Sequence, residues 1–308
     1  MTQAQGESHT GSTDIEIVVP AYGESPLLAE TLRSLTDVVP SDVGIVVQDD
    51  ASPGPEVRDI AAAFAPRVGY RRNAVNLGVS GAFNAAARAS SATFVVLVGP
   101  DDRGVPGMVQ AYRRAIALYP GVSAIHPGVR VIDEHGAPAK PLGDRVKSIL
   151  RPRRTGVLAG EPLATRLLTG NWTYNPAIAW RTSFVRANPF DEELHTAMDL
   201  DLLLRLAFSG ASVALTDDVA LEYRRHGGAV SSLNAGTKRL TEELAIQRRA
   251  GAVARRLQWS RAAAAASLAP TARLHGLLLA RDLPSGDRKA LVGLALSRDG
   301  HDDAVAQD

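Results

Sequence analysis

The chain of 308 residues contains no cysteine, which excludes disulfides and thiolate metal sites. It has no apolar run long enough to span a bilayer. Its first dozen residues are polar, with Gly, Ser, Thr and Gln, and lack the basic start and apolar segment of a signal peptide. They read as a disordered tail over residues 1–13, and the missing export signal favours the cytoplasm. An excess of one charge is lacking too. Lys and Arg total 34 against 33 Asp and Glu, a net charge of +1, so no global field favours nucleic acid or membrane. No G-x-G-x-x-G loop follows the first apolar stretch, which argues against a dinucleotide-dependent dehydrogenase. Nor does a Gly-rich loop with Arg and Lys stand there, as nucleotidyl transfer would ask. What is present, 45% hydrophobic and 22% charged residues, suits a globular protein with a full core.

Residues 14–20 read as a first strand, followed by the loop Ala21-Tyr22-Gly23-Glu24. Ser25 before Pro26 is a helix-start signal, and Leu28, Leu32 and Leu35 follow at helical spacing. Residues 43–47 form a second buried strand ending in Gln48-Asp49-Asp50-Ala51-Ser52. Val57, Ile60, Ala61 and Phe64 make the next helical stripe, residues 68–70 a short strand, and residues 80–89 a helix of small side chains. Residues 93–98 form an uncharged strand that Gly99-Pro100 ends and Asp101-Asp102 follow; residues 106–118 are a further helix. This alternation predicts a mostly parallel sheet with right-handed crossovers, covered by helices. Three strands then end in polar loops on one edge, where an open α/β sheet keeps its ligand crevice. Adjacent carboxylates repel unless something positive stands beside them. A hard divalent cation carried by a phosphate meets that need; a capping turn is the plainer alternative.

Residues 133–160, with Lys140, Arg145, Lys147, Arg151, Arg153 and Arg154, are expected to form an exposed, mobile basic loop. Residues 161–168 read as a short helix, and Asn175 to Trp180 lead into a strand. A helix over residues 199–207 begins with Asp199, where a carboxylate meets the positive end of the helix. Two further segments, 212–215 and 219–226, come next. From about Ser232, Leu240, Leu244, Val253 and Leu257 suggest one long helix made basic by Arg248, Arg249, Arg255, Arg256 and Arg261. Such a helix suits peripheral contact with an anionic membrane surface; its weak, Ala-rich apolar face favours a solvated helix docked on the domain. Residues after Arg298 should fray. The expected division is a tail over 1–13, a domain over 14–232 and a helical extension over 233–308.

Several motifs in order resemble the family 2 glycosyltransferases, inverting enzymes of the GT-A fold. They are Ile17-Val18-Val19-Pro20-Ala21-Tyr22, Val47-Gln48-Asp49-Asp50-Ala51-Ser52, Asn76-Leu77-Gly78 with Asn84, and Asp101-Asp102. They continue with Phe190-Asp191-Glu192, Met198-Asp199-Leu200-Asp201-Leu202 with Arg205, and Tyr223-Arg224-Arg225-His226 with Ser231. The resemblance covers residues 14–232. It implies a Rossmann-like α/β fold with a mixed, mostly parallel sheet, and a nucleotide-diphosphate sugar as donor. Pro20, Tyr22, Glu24, Asp49 or Asp50, and Asn76 would hold the nucleotide. Asp102 first, Asp101 second, and His226 would bind Mn²⁺ or Mg²⁺ through the diphosphate, although Gly99 stands where many relatives carry a further acid. Arg225 or Arg224 would add charge for the phosphates. Asp199 matches the general base, with Met198 where many relatives have Glu. Asp201 and Arg205 are expected to brace the fold. Asn171, Trp172 and Asn175 lie in the region relatives use for the acceptor, a saccharide or lipid-linked molecule of cell-surface polysaccharide synthesis. Trp172 fits either a sugar face or the core. A catalytically idle nucleotide-sugar-binding or scaffold protein is the alternative.

Overall fold

The structure is a computed structural model that describes residues 14–226, 237–281 and 292–293. The expected tail, the boundary at 232/233, Gly227-Gly228, Ser231 and the residues after Arg298 lie outside the described residues. The first half alternates as expected: β1 (Ile15–Ala21), α1 (Leu28–Val38), β2 (Gly44–Asp49), α2 (Glu56–Ala62), β3 (Val68–Arg72), α3 (Gly78–Ala89) and β4 (Phe94–Leu97). Then come β5 (Arg103–Gly104), α4 (Met108–Leu118), β6 (Ala124–Ile132), α5 (Leu142–Leu150), β7 (Gly156–Ala159), α6 (Gly160–Thr169), β8 (Ala179–Arg181), α7 (Thr182–Ala187), α8 (Met198–Phe208) and β9 (Ser212–Arg224). Three further helices follow: α9 (Thr237–Arg256), α10 (Ser260–Leu268) and α11 (Pro270–Arg281).

One nine-stranded sheet runs in the order β3-β2-β1-β4-β8-β6-β9-β5, with β7 also paired to β9. Strands β3, β2, β1 and β4 are parallel; β8 is antiparallel to both β4 and β6. The chain leaves β1 towards β2 on one side and returns to β4 on the other. That reversal opens a crevice at the carboxyl ends of β1 and β4, the usual ligand position in such sheets. The strands are buried on both faces, which is why they read as nearly continuous apolar runs. Ile15, Ile17 and Val19, with Phe94, Val96 and Val98, face a core shared with α1, α2 and α4. Val18, Val95 and Leu97 face the opposite core, which includes side chains of α3, α6, α8, α9 and α10.

Four expectations change. The basic segment 133–160 is an ordered stretch containing α5 and β7, anchored by buried Asp144. The single C-terminal helix is three helices: Leu240 and Leu244 are buried, but Leu257 is exposed beyond the end of α9. The two segments after residue 211 form one strand, β9. It pairs in parallel with β6, a strand the sequence pattern did not announce. Register shifts at His126 and Gly128 break the alternation of β6. Gly128 is required there, because a Cβ would lie 2.6 Å from the Asp217 carbonyl oxygen.

Asn84 and the Phe190-Asp191-Glu192 motif form a clamp. Asn84 Oδ1 accepts the Phe190 N–H at 2.8 Å, and its Nδ2 donates to the Phe190 carbonyl at 2.9 Å and to Glu192 at 3.0 Å. Ser80 adds a bond from its hydroxyl to the Leu194 carbonyl at 2.9 Å. These bonds tie α3 to the segment that delivers α8. Buried polar groups without such partners would cost about 1–3 kcal/mol each. Arg205 pairs with Asp201 at 2.8 Å and with the Pro189 carbonyl at 2.7 Å, the bracing role expected of both residues.

Candidate active site

The acidic turn after β4 closes through the Asp102 N–H bonded to the Gly99 carbonyl. Asp102 is 1% exposed. Its Oδ1 accepts the Arg224 N–H at 2.9 Å, but its buried Oδ2 has no hydrogen-bond partner. Burial, reinforced by the neighbouring charge of Asp101, pushes the Asp102 carboxyl well above the usual range. A Cβ placed on Gly99 would lie 2.6 Å from Asp101 Oδ1 and 2.7 Å from Asp102 Oδ2. Two acid oxygens therefore converge on the space the glycine leaves open. The other Asp101 oxygen is 2.7 Å from His226 Nε2.

This donor set fits a hard cation. An orphaned, buried carboxylate oxygen beside a second one is a site of uncompensated negative charge, and a buried charge of that kind is stable only when paired. Among the described residues, no group of three His, Asp or Glu side chains is arranged to enclose an ion. Two carboxylates plus substrate phosphates and water are the coordination Mg²⁺-type ions favour.

Arg224 holds the turn in place and is itself 1% exposed. Its Nε donates to the Asp101 carbonyl at 2.8 Å, Nη1 to the Glu134 carbonyl at 2.9 Å, and Nη2 to Glu30 at 2.7 Å. A guanidinium so fully used is a structural pin, which corrects the expectation that it could serve phosphates. Arg225 forks onto Asp144 at 2.8 and 3.0 Å, so its charge too is met by the protein.

At the other side of the crevice, Tyr22 is 53% exposed and Glu24 is exposed, while Pro20 is half-buried. Asp49 is closed off: it accepts the Ser52 N–H at 2.8 Å, the Tyr70 hydroxyl and Arg72 Nη1. Burial works to raise its carboxyl, but the bonds from Ser52, Tyr70 and Arg72 outweigh it and hold the group below the usual range. Asp50 accepts Asn73 Nδ2 at 2.7 Å and the Leu77 N–H at 3.0 Å. The pair is thus not the open one the sequence suggested; it shapes the loops that carry Tyr22 and Asn76. Asn76 is exposed and its Oδ1 accepts the Gly78 N–H at 2.9 Å. Gly78 has φ +71°, a value that favours glycine at the turn into α3.

Asp199 lies in the first turn of α8 and is 8% exposed. Its Oδ1 accepts the Leu200 N–H at 2.8 Å, and its Oδ2 accepts Asn171 Nδ2 at 3.1 Å. Asn171 is oriented in turn by Thr173, whose hydroxyl and N–H both donate to Asn171 Oδ1, at 2.7 and 3.1 Å. One of the three acceptor candidates is corrected. Trp172 is 1% exposed, edge-on to His126 at 5.3 Å between ring centres, and belongs to the core. Asn175 accepts the indole N–H of buried Trp180 at 3.3 Å. Asn171 alone reaches the candidate base.

Several residues near the site escaped the sequence reading. Lys147, expected on an exposed loop, donates to the Thr173 carbonyl and lies 4.3 Å over the Tyr174 ring. Burial lowers its ammonium to about 8; Asp199 opposes that shift, and Arg239 and Arg225 add to it. Tyr174 packs on Tyr223 at 5.1 Å and donates its hydroxyl to Asp144. Tyr223 also lies under the Arg225 guanidinium at 4.8 Å, and the Thr173 hydroxyl approaches Asp199 Oδ2 at 3.4 Å. Fully buried His126 accepts the Tyr174 N–H on Nε2 at 3.0 Å, which puts its proton on Nδ1. Burial, with the charges of Arg151 and Lys147, lowers its pKa to about 3, so it stays neutral.

A nine-stranded mixed sheet with acids at its switch point defines a GT-A-type nucleotide-sugar fold, and comparison with known proteins agrees. A Staphylococcus aureus TarS fragment in complex with UDP-GlcNAc superposes with a TM-score of 0.59 at 16% identity, covering 92% of this chain and 72% of that one. The mannosyltransferase PcManGT of Pyrobaculum calidifontis, in complex with GDP-Man and Mn²⁺, gives a TM-score of 0.60 at 17% identity, covering 92% and 79%. An uncharacterized glycosyltransferase of Haemophilus influenzae is 23% identical over 193 residues, 62% of this chain, and the chain spans 61% of that relative's length. Residues 16–111 match the model of glycosyl transferase family 2. Among the described residues, no helix is long and apolar enough to cross a membrane.

His126 gives a pH test of the core beside the site. The unfolded chain takes up this proton near pH 6.5, whereas the folded protein resists until about 3. The unfolded state thus binds more protons in that window, and stability falls as the pH drops below 6.5. Between pH 7 and pH 5, the wild type should lose about 2 kcal/mol more than His126→Gln in urea unfolding. Equal losses in the two proteins would contradict a buried neutral imidazole.

Proposed function

We propose that this protein transfers a glycosyl group, with inversion, from a nucleoside-diphosphate sugar to a hydroxyl of a saccharide or lipid-linked acceptor, in cell-surface polysaccharide synthesis. The observation that carries the reading is the convergence of Asp101 Oδ1 and unpaired Asp102 Oδ2 over Gly99, at the switch point of the sheet. The structural neighbours bound to UDP-GlcNAc and to GDP-Man with Mn²⁺ support it.

In this reading exposed Tyr22 offers its ring to the base at the carboxyl end of β1. Asp101 and Asp102 hold a divalent cation with the donor diphosphate, and His226 stands beside Asp101 to meet the ion or a phosphate oxygen. Such an ion, when bound, offsets the negative charge that grows on the departing diphosphate. Asp199 faces the acceptor. One of its carboxylate oxygens takes the proton of the attacking hydroxyl while that oxygen bonds to the anomeric carbon and the bond to the diphosphate breaks on the opposite face. Asn171 sets the orientation of the carboxylate. General-base catalysis of this kind contributes about 10²–10⁴-fold.

Asp199→Asn should lower turnover by about a hundredfold or more while calorimetry finds nucleoside-diphosphate binding unchanged; normal turnover would remove Asp199 from the base role. Gly99→Ala tests the cradle, since its Cβ would occupy the space between the two acids. That variant must push the two acids apart, so it should melt below wild type yet still fold, and it should lose Mn²⁺-dependent affinity for UDP or GDP. Undiminished affinity would show that the cation does not bind there.

A further inference from the structure

Helix α8 begins without a capping side chain of its own. Its N-cap is Ala197, which offers no acceptor, although the first amides of a helix need partners. The segment that leads into it, up to the N-cap itself, is held instead from the C-terminal helix α9. Glu242 Oε2 accepts the Thr196 N–H at 2.9 Å, the Thr196 hydroxyl at 2.7 Å and the Ala197 N–H at 3.1 Å. Its Oε1 accepts the His195 N–H at 3.1 Å. Four donors from three consecutive residues thus converge on one buried carboxylate. Burial acts to raise that carboxyl, but the bonds from Thr196, His195 and Ala197 outweigh it and keep the group below the usual range. The residue after Ala197 opens α8, and the next is Asp199.

We infer that Glu242 is a positioning residue for Asp199, so that the C-terminal helices form part of the catalytic apparatus. This rests on Asp199 acting as the base. The carboxylate fixes the three residues that lead into α8, ending at its N-cap Ala197, and so sets where the first turn of α8 begins. Asp199 is bonded to that turn through the Leu200 N–H and to Asn171 on the facing loop. A shift of the 195–197 segment moves the base relative to Asn171, and a displacement of about 1 Å in such a group costs up to about a hundredfold in rate. Helix α9 is held by its own contacts, among them Gln247 Nε2 to the Leu168 carbonyl at 3.0 Å, with Ile246, Ala250 and Ala254 in the core. It therefore offers a firm anchor.

Glu242→Gln keeps the shape but puts an amide where the N–H groups need an acceptor. Turnover is read as release of nucleoside diphosphate from UDP-GlcNAc and from GDP-mannose. The variant should lower kcat by about tenfold to a hundredfold, with KM for the donor unchanged. Gln247→Leu, which loosens the same helix away from residues 195–197, should lower stability and leave kcat in place. In an Asp199→Asn background Glu242→Gln should cause no further loss, as expected for residues acting through one step. An Asp199→Asn variant that turns over normally removes the base reading itself. An inactive Asp199→Asn beside a fully active Glu242→Gln, or losses that simply multiply, overturns the inference about Glu242 alone. Amide hydrogen exchange of the peptide over residues 193–201 needs no substrate. Glu242→Gln should lose protection there while β1 and β4 keep theirs, and unchanged protection overturns the inference.

Discussion

The buried guanidinium of Arg224 is the interaction on which the site depends. It comes from the end of β9, the long strand at the far side of the sheet, and reaches the turn that follows β4. Through its N–H and Nε it fixes both Asp102 and the Asp101 backbone, and through Nη2 it meets Glu30 on α1. Removing one partner from a buried, fully bonded charge is costly, about 3–5 kcal/mol, so the turn has little freedom to relax. The acids gain a fixed geometry from this, and Asp102 Oδ2 is left with an unmet demand for positive charge.

The base end is built on the same plan with different parts. Asp199 sits on a helix whose approach is clamped to α3 by Asn84 and tied to α9 by Glu242. Neither clamp touches the carboxylate directly. Beside Asp199, an aromatic and charged strip of Tyr223, Tyr174 and Lys147 reaches Thr173. The protein thus holds an acid pair and a single acid on separate elements, each locked by buried hydrogen bonds.

The alternating half of the fold was legible because strands buried on both faces leave plain apolar runs and helices of 7–12 residues leave stripes. The Asp101-Asp102 turn and Asp199 were legible for a related reason: charge at the end of an apolar element stands out. The rest hid for physical reasons. Strand β6 is interrupted by His126-Pro127-Gly128, a loop-like triplet that the bulge against β9 requires. Helix α5 turns Leu142 and Ile149 to solvent and Asp144 inward, the reverse of the pattern periodicity detects. Asp49 and Trp172 carried ligand-like signals yet serve the fold, because a carboxylate or an indole looks the same in sequence whether it meets a ligand or a neighbouring side chain. Glu242 gave no signal at all, since an acceptor supplied from another helix has no fixed spacing to the segment it holds.

The central claim is that the glycine-floored space between Asp101 and Asp102 receives a divalent cation together with a nucleoside diphosphate. Anomalous diffraction from crystals grown with Mn²⁺ and UDP or GDP addresses it directly. The expected result is one strong manganese peak within coordination distance of Asp101 Oδ1 and Asp102 Oδ2, with the diphosphate completing its ligands and the base against Tyr22. A bound nucleotide with no manganese at that position, or manganese held elsewhere, would contradict it.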